Sequence, residues 1–125
     1  MSCRKWRRTP IRELLPKLEE WLMLNFPTPY PVRVKYQKKQ PIVEGENCCG
    51  FCRRDGRKIE IAIHLANGRE MMIDTLIHEW AHARNMRQAS LEGLIELDHP
   101  PEWGITYAAI VTKLFDEDRT KEVVE

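Results

Sequence analysis

Apolar residues recur along this chain with two different periods, and the switch between them divides it into elements. Ile11, Leu14, Leu15, Leu18, Trp21, Leu22 and Phe26 fall at helical spacing on one face, which predicts an N-terminal amphipathic helix. Thr9 and Pro10 suit its start, Thr9 as N-cap and Pro10 at the first helical position, where a missing N–H costs nothing. Pro16 is expected to bend this helix, and Pro27-Thr28-Pro29-Tyr30-Pro31 ends it in favour of extended chain. The period then falls to two. Val32, Val34 and Tyr36 alternate with Arg33, Lys35 and Gln37, and Ile59, Ile61 and Ile63 share one face of the segment Lys58 to His64. Each is the pattern of a strand with one buried side. A fainter strand lies around Cys49 to Cys52, and Asp55-Gly56 reads as a turn before the Ile-rich strand.

Helical spacing returns after Asn67-Gly68, through Met71, Met72, Leu76, Ile77, Trp80 and Ala81 to about Met86. Pro101 can open a last helix holding Trp103, Tyr107, Ile110, Val111, Leu114 and Phe115. The expected fold class is α+β: an N-terminal helix, a small, mostly antiparallel three-stranded sheet, a second helix and a C-terminal helix.

At 125 residues the chain is the size of one domain. Its 42% hydrophobic and 31% charged residues are ordinary for a soluble protein. No apolar run approaches membrane-spanning length and no signal-peptide pattern follows the N-terminus, so the expectation is a cytoplasmic protein with no membrane partner. Net charge is +1, but it is unevenly spread. Arg4, Lys5, Arg7, Arg8 and Arg12 crowd one end; Asp116, Glu117, Asp118, Glu122 and Glu125 crowd the other. Residues 1–8 read as a flexible basic arm and 117–125 as a frayed acidic tail. With Trp6 interleaved, Arg4, Lys5, Arg7 and Arg8 can hold phosphates while the indole stacks on a base, which makes DNA a candidate partner. Near-neutral net charge favours a solvated arm instead. The four cysteines are Cys3, Cys48, Cys49 and Cys52. They do not form a disulfide framework, and Cys49-Gly50-Phe51-Cys52 is half a zinc knuckle with no second half nearby, so free thiols are expected.

The chemistry concentrates in His78-Glu79-Trp80-Ala81-His82. On a helix the two histidines lie four residues apart, project from one face and can converge on one ion. Catalytic zinc sites use three protein ligands and leave the fourth position open for water. Glu79, beside His78, can reach that water without binding the metal, which is the position of a general base. Ile73, Leu76, Ile77, Trp80 and Ala81 should anchor the helix in the core around these polar groups. Glu96, Asp98, His99 and Glu102 are candidates for the third ligand. His99 is favoured because no other histidine lies downstream and it precedes a proline-initiated helix; Glu102, in the first turn of that helix, is the alternative. The compact H-E-x-x-H-x-x-G-x-x-H pattern is excluded, since Asn85 and Gln88 stand where it needs Gly and His.

The run His78-Glu79-Trp80-Ala81-His82-Ala83, followed by Asp98-His99-Pro100-Pro101-Glu102-Trp103, resembles the SprT-like zinc metallopeptidases, including the Spartan type. Their pattern is HExxH-A with a later histidine in an H-G-x-x-[FW] setting. The order of elements also resembles theirs, from about Thr9 to Phe115. Pro100 stands where the family usually has glycine, and the C-terminal zinc ribbon of many members is absent. The resemblance implies a zincin-like fold, a zinc cofactor on His78, His82 and His99, and peptide hydrolysis by an activated water with Glu79 as general base. It also implies a peptide or protein substrate, with proteins crosslinked to DNA as one class. Tyr107 is a candidate oxyanion donor, against its plainer reading as a core aromatic. The strand ending at His64 is expected to offer an edge for extended substrate, with His64 a rim residue rather than a ligand. The alternative function is a non-proteolytic zinc-binding module that stabilises a small fold or a partner surface; a zinc hydrolase acting on a non-peptide substrate is a third.

Overall fold

The computed structural model describes residues 9–65, 68–86, 93–95 and 98–124, with side chains as far as Glu117. Helix α1 spans Ile11–Asn25, strand β1 Val32–Gln37, β2 Ile42–Val43, β3 Glu46–Asn47, β4 Gly50–Asp55 and β5 Lys58–His64. Helices α2, Arg69–Arg84, and α3, Pro101–Val124, follow. The α+β class and the order of the main elements are as expected.

The sheet differs from expectation in direction. It is three-stranded with order β1-β5-β4 and is mixed: β4 pairs antiparallel with β5, but β1 pairs parallel with it. Alternating side chains predict a strand and its buried face, and they carry no information about its direction. The antiparallel pair follows from a two-residue loop in which Gly56 takes a positive φ of 66°. The parallel pair follows from the excursion between β1 and β4, which crosses the end of β5. There the backbone N–H of His64 donates to the Cys49 carbonyl and that of Leu65 to the Gln37 carbonyl, at 2.9 Å each. Within this excursion β2 and β3 form a small unexpected hairpin around Glu44 and Gly45, both at positive φ. β5 is therefore central, flanked on both sides, and the expectation that it offers a free edge is corrected.

Ile59, Ile61 and Ile63 are fully buried on the sheet face that meets the helices. α2 packs against β4 and β5, and α3 packs on α2. α1 buries Leu14, Leu15, Leu18 and Leu22, and its Glu19 accepts a hydrogen bond from Tyr36 of β1 at 2.5 Å. This helix begins one residue later than expected: Pro10 occupies the N-cap and no side chain caps the turn. It runs through Pro16 as one α-helix. α3 continues to Val124, so the backbone from Glu117 to Val124 is helical. The basic arm, Arg4 to Arg8 with Trp6, lies outside the described residues. Among the described residues no helix is long and apolar enough to cross a membrane.

Gly50 lies where β4 passes close to both β5 and α2. A Cβ built there would lie 2.5 Å from the Ala62 carbonyl oxygen and 2.8 Å from Thr75 Cγ2. Since the first neighbour is backbone of the central strand, the strands would have to part. Gly50→Ala is expected to destabilise the fold by about 1–3 kcal/mol in denaturant titration. Gly68→Ala, whose Cβ meets nothing within 4 Å, should change stability by roughly 0.5 kcal/mol or less.

Candidate metal centre

α2 is almost surrounded by protein. Met72, Ile73, Leu76, Ile77, Trp80, Ala81 and Ala83 are buried on several sides of it, as in a core helix rather than a surface one. Trp80, between the two histidines of the motif, is 1% exposed and donates its indole N–H to the Phe26 carbonyl at 2.9 Å. Arg84 donates to the Pro27 carbonyl at 2.7 Å. The segment that ends α1 thus fixes the rotation of α2, and with it the direction in which His78 and His82 project.

His78 and His82 meet His99 from the loop before α3. One nitrogen from each ring lies within 4.8 Å of the others. The ring centroids form a nearly equilateral triangle of 5.1, 4.9 and 5.0 Å. His78 Nε2 and His99 Nε2 are 3.1 Å apart, close to the roughly 3.3 Å that separates two nitrogens on a tetrahedral zinc ion. The three histidines lie close enough to hold a metal ion. His82 is 4% exposed, and its Nε2 has no hydrogen-bond partner among the described residues. A buried, unpaired ring nitrogen is costly unless something accepts its lone pair, so the donor set fits a cation.

The electrostatics of the group suit a cation. Burial, then the neighbouring His78 and His99, pushes the His82 imidazole down to about 3. Burial and His99 also lower His78, against a smaller opposing effect of Asp74. Both rings are therefore neutral near pH 7, the form that binds metals. Glu79, 4% exposed, is pushed by burial up to about 8. Its Oε1 stands 3.7 Å from His78 Nε2, and its Oε2 is buried without a partner among the described residues. Glu79 and His78 line a cavity of about 300 Å³ with Asp74, Thr75, Gly50 and the two cysteines Cys48 and Cys49.

The remaining candidates are placed elsewhere. Glu102 sits in the first turn of α3, and neither it nor exposed Asp98 belongs to the converging group. Glu96 lies outside the described residues. His64 Nε2 faces the Lys38 carbonyl at 3.1 Å, at the far end of β5 from the loop to β4, and is not part of the centre. Cys48, Cys49 and Cys52 form no disulfide among the described residues, as expected, and none joins the converging group.

Sequence reading missed the lock that holds the third histidine. Trp103, four residues after His99, lies 4.8, 5.6 and 4.5 Å from the His78, His82 and His99 rings and donates its indole N–H to the His78 carbonyl at 3.1 Å. Tyr107 stacks on Trp103 at 5.2 Å, and its hydroxyl donates to Asp74, one turn before His78. Asn85, at the end of α2, donates to Thr106 Oγ1 at 3.0 Å. The faint signal was the spacing of Trp103 and Tyr107 after His99, but their partners lie some 20 to 30 residues away in sequence, where no period reaches. Compared with protein-family models, characterised proteins and solved structures, the chain matches none.

Two predictions follow the geometry. Trp103→Phe keeps an aromatic wall but removes the N–H that reaches His78, so metal affinity should fall about 10-fold or more, as for other outer partners of metal ligands. Competition with a chromophoric chelator reads this directly, and unchanged affinity would show that the indole N–H plays no part. The second concerns pH in the metal-free protein. Glu79 is raised from 4.5 to about 8 on folding, so its contribution is complete below pH 4.5 and is lost as pH rises through 8. His82 is lowered from 6.5 to about 3, so its contribution is complete above 6.5 and is lost as pH falls toward 3. The two oppose each other between 4.5 and 6.5. From pH 6.5 to 8 stability should decline by on the order of 1 kcal/mol per unit, and Glu79→Gln should flatten that limb in pH-dependent denaturation.

Proposed function

We propose that this chain is a zinc-dependent metallopeptidase of SprT-like, zincin kind. The observation that carries the proposal is Glu79. A metal site that only braces a fold has no use for a buried carboxylate with a free oxygen beside its ligands, because such a group costs stability. A hydrolase needs one. His78, His82 and His99 supply the ligands, and bound zinc would supply Lewis acidity for a carbonyl and its attacking water.

The chain's own residues do the rest. The Glu79 carboxylate accepts a proton from a water in the adjoining cavity and returns it to the departing amine; a cation nearby favours the carboxylate form over the protonated form that burial favours. Trp103 keeps His99 and His78 in place through the reaction. Tyr107 as oxyanion donor would have to exchange Asp74 for substrate, since its hydroxyl is committed to that carboxylate. Proteins associated with DNA are a substrate class for this reading, with the basic arm as the contact.

Metal analysis and peptidase assays test the proposal together. His78→Ala, His82→Ala and His99→Ala should each lose stoichiometric zinc, whereas Glu102→Ala should keep it. Glu79→Gln should retain zinc and lose roughly 10³-fold or more in hydrolysis of denatured protein, within the range of general-base effects. Full zinc in Glu79→Gln, with no hydrolysis by either form on denatured or DNA-linked substrates, would point instead to the non-proteolytic zinc-binding module.

A further inference from the structure

The cavity beside the triad is larger than a hydrolytic water needs. Its volume of about 300 Å³ holds roughly ten water molecules, which is room for one long side chain. α2 lines it with Met71, Asp74, Thr75 and His78, spaced i, i+3, i+4 and i+7 on one face of the helix. Cys48 and Cys49, with Gly50 at the start of β4, form the facing wall. His78 belongs both to this lining and to the converging histidines. A peptide whose carbonyl lies at the triad therefore has a neighbouring side chain within reach of the cavity.

The lining decides which side chain fits. Met71, exposed, and Thr75, whose Cγ2 points toward Gly50, contribute apolar surface. Among the described residues the acidic members of the lining are Asp74 and Glu79, and no lysine or arginine lines it. Glu79 is the proposed base and its Oε2 is buried, so half-buried Asp74 is the carboxylate left to a ligand. One Asp74 oxygen accepts from the Tyr107 hydroxyl, which fixes the direction of the group, and an ionised carboxylate has further lone pairs on both oxygens. Lysine and arginine lay their methylenes along apolar surface and carry the charge at the tip. Their hydrogen bonds to a carboxylate are of the strong, charge-assisted kind. An acidic side chain would meet like charge from Asp74, and an apolar one would take water from the carboxylate and give nothing back.

We propose that this cavity is the side-chain pocket of the peptidase site, and that Asp74 makes it select a lysine or arginine flanking the bond to be cut. The inference rests on the peptidase reading and names its substrate class. Asp74 takes no part in proton transfer here; it sets which peptides are held with a bond at the triad, while Glu79 and the three histidines keep the roles already given.

The test begins with the zinc-loaded full chain and a denatured protein, whose fragments are sequenced by mass spectrometry. Lysine and arginine should occupy one position flanking the cut bonds at least about fivefold more often than their share of the substrate. Two peptides that differ only in lysine or norleucine at that position should differ at least about tenfold in kcat/KM. Asp74→Asn keeps an acceptor for Tyr107 but no charge, and should bring that ratio to within about twofold of one. A ratio taken within one variant is unmoved by any general slowing that Asp74→Asn causes near His78. Binding is read without turnover by fluorescence anisotropy: zinc-loaded Glu79→Gln should hold a peptide with one central lysine at least about fivefold more tightly than its norleucine twin, and adding Asp74→Asn should abolish the difference. Cuts with no basic enrichment, equal binding of the two peptides, or a preference that survives Asp74→Asn each overturn the proposal and leave the peptidase reading standing. If the wild type cuts nothing, the peptidase reading fails and the pocket's role falls with it.

Discussion

The convergence of the three histidines depends on α3 being seated in one register against α2. Two of the three histidines come from consecutive turns of one helix and need only that helix. The third arrives on a loop, and ordering a loop costs about 1–2 kcal/mol per residue in backbone entropy. Pro100 and Pro101 reduce that cost by fixing φ before folding. The Trp103 indole then pins the start of α3 to the carbonyl of His78, itself one of the converging histidines. Tyr107 repeats the contact one turn later through Asp74, and Asn85 closes the other end of α2. Each is a tie between the helices rather than to an ion, so the triangle of imidazoles is set by protein contacts.

This arrangement buries groups that water would rather keep. His82 Nε2 and a Glu79 oxygen have no partner among the described residues, and each such group costs on the order of 1–3 kcal/mol. The core around α2 offsets this. Trp80 faces away from the cavity into contact with the end of α1, and the Ile59, Ile61 and Ile63 face of β5 supports the helix from below. Strain of this kind is expected at a functional site and is hard to rationalise in a helix whose histidines are accidental. The same burial sets the protonation states: neutral imidazoles and a protonated carboxyl in the bare protein, with the carboxyl ready to ionise beside a cation.

Much of this was legible because it is periodic. β5 shows its full extent in the alternation from Lys58 to His64, and α2 is placed to within about two residues by its apolar spacing. His78 and His82 are visible for the same reason, since i and i+4 share a helix face. What escaped was aperiodic or distant. The β2–β3 hairpin has two residues per strand, too few to show alternation. The parallel pairing of β1 with β5 concerns direction, which a pattern of alternating side chains cannot encode. The Trp103–His78 contact and the placing of Cys49 beside Glu79 exist only after elements far apart in sequence have packed.

That long-range packing has a consequence for how the protein comes into being. Chains are made from the N-terminus, so α1, the whole sheet and α2 emerge before His99. At that stage His78, His82 and Glu79 have been made, but the third histidine and the tryptophan that holds it are still to come. α1 is itself waiting, because Trp21 donates to Glu117 across 96 residues. A growing chain of this kind therefore lacks the full triangle of imidazoles until α3 has docked.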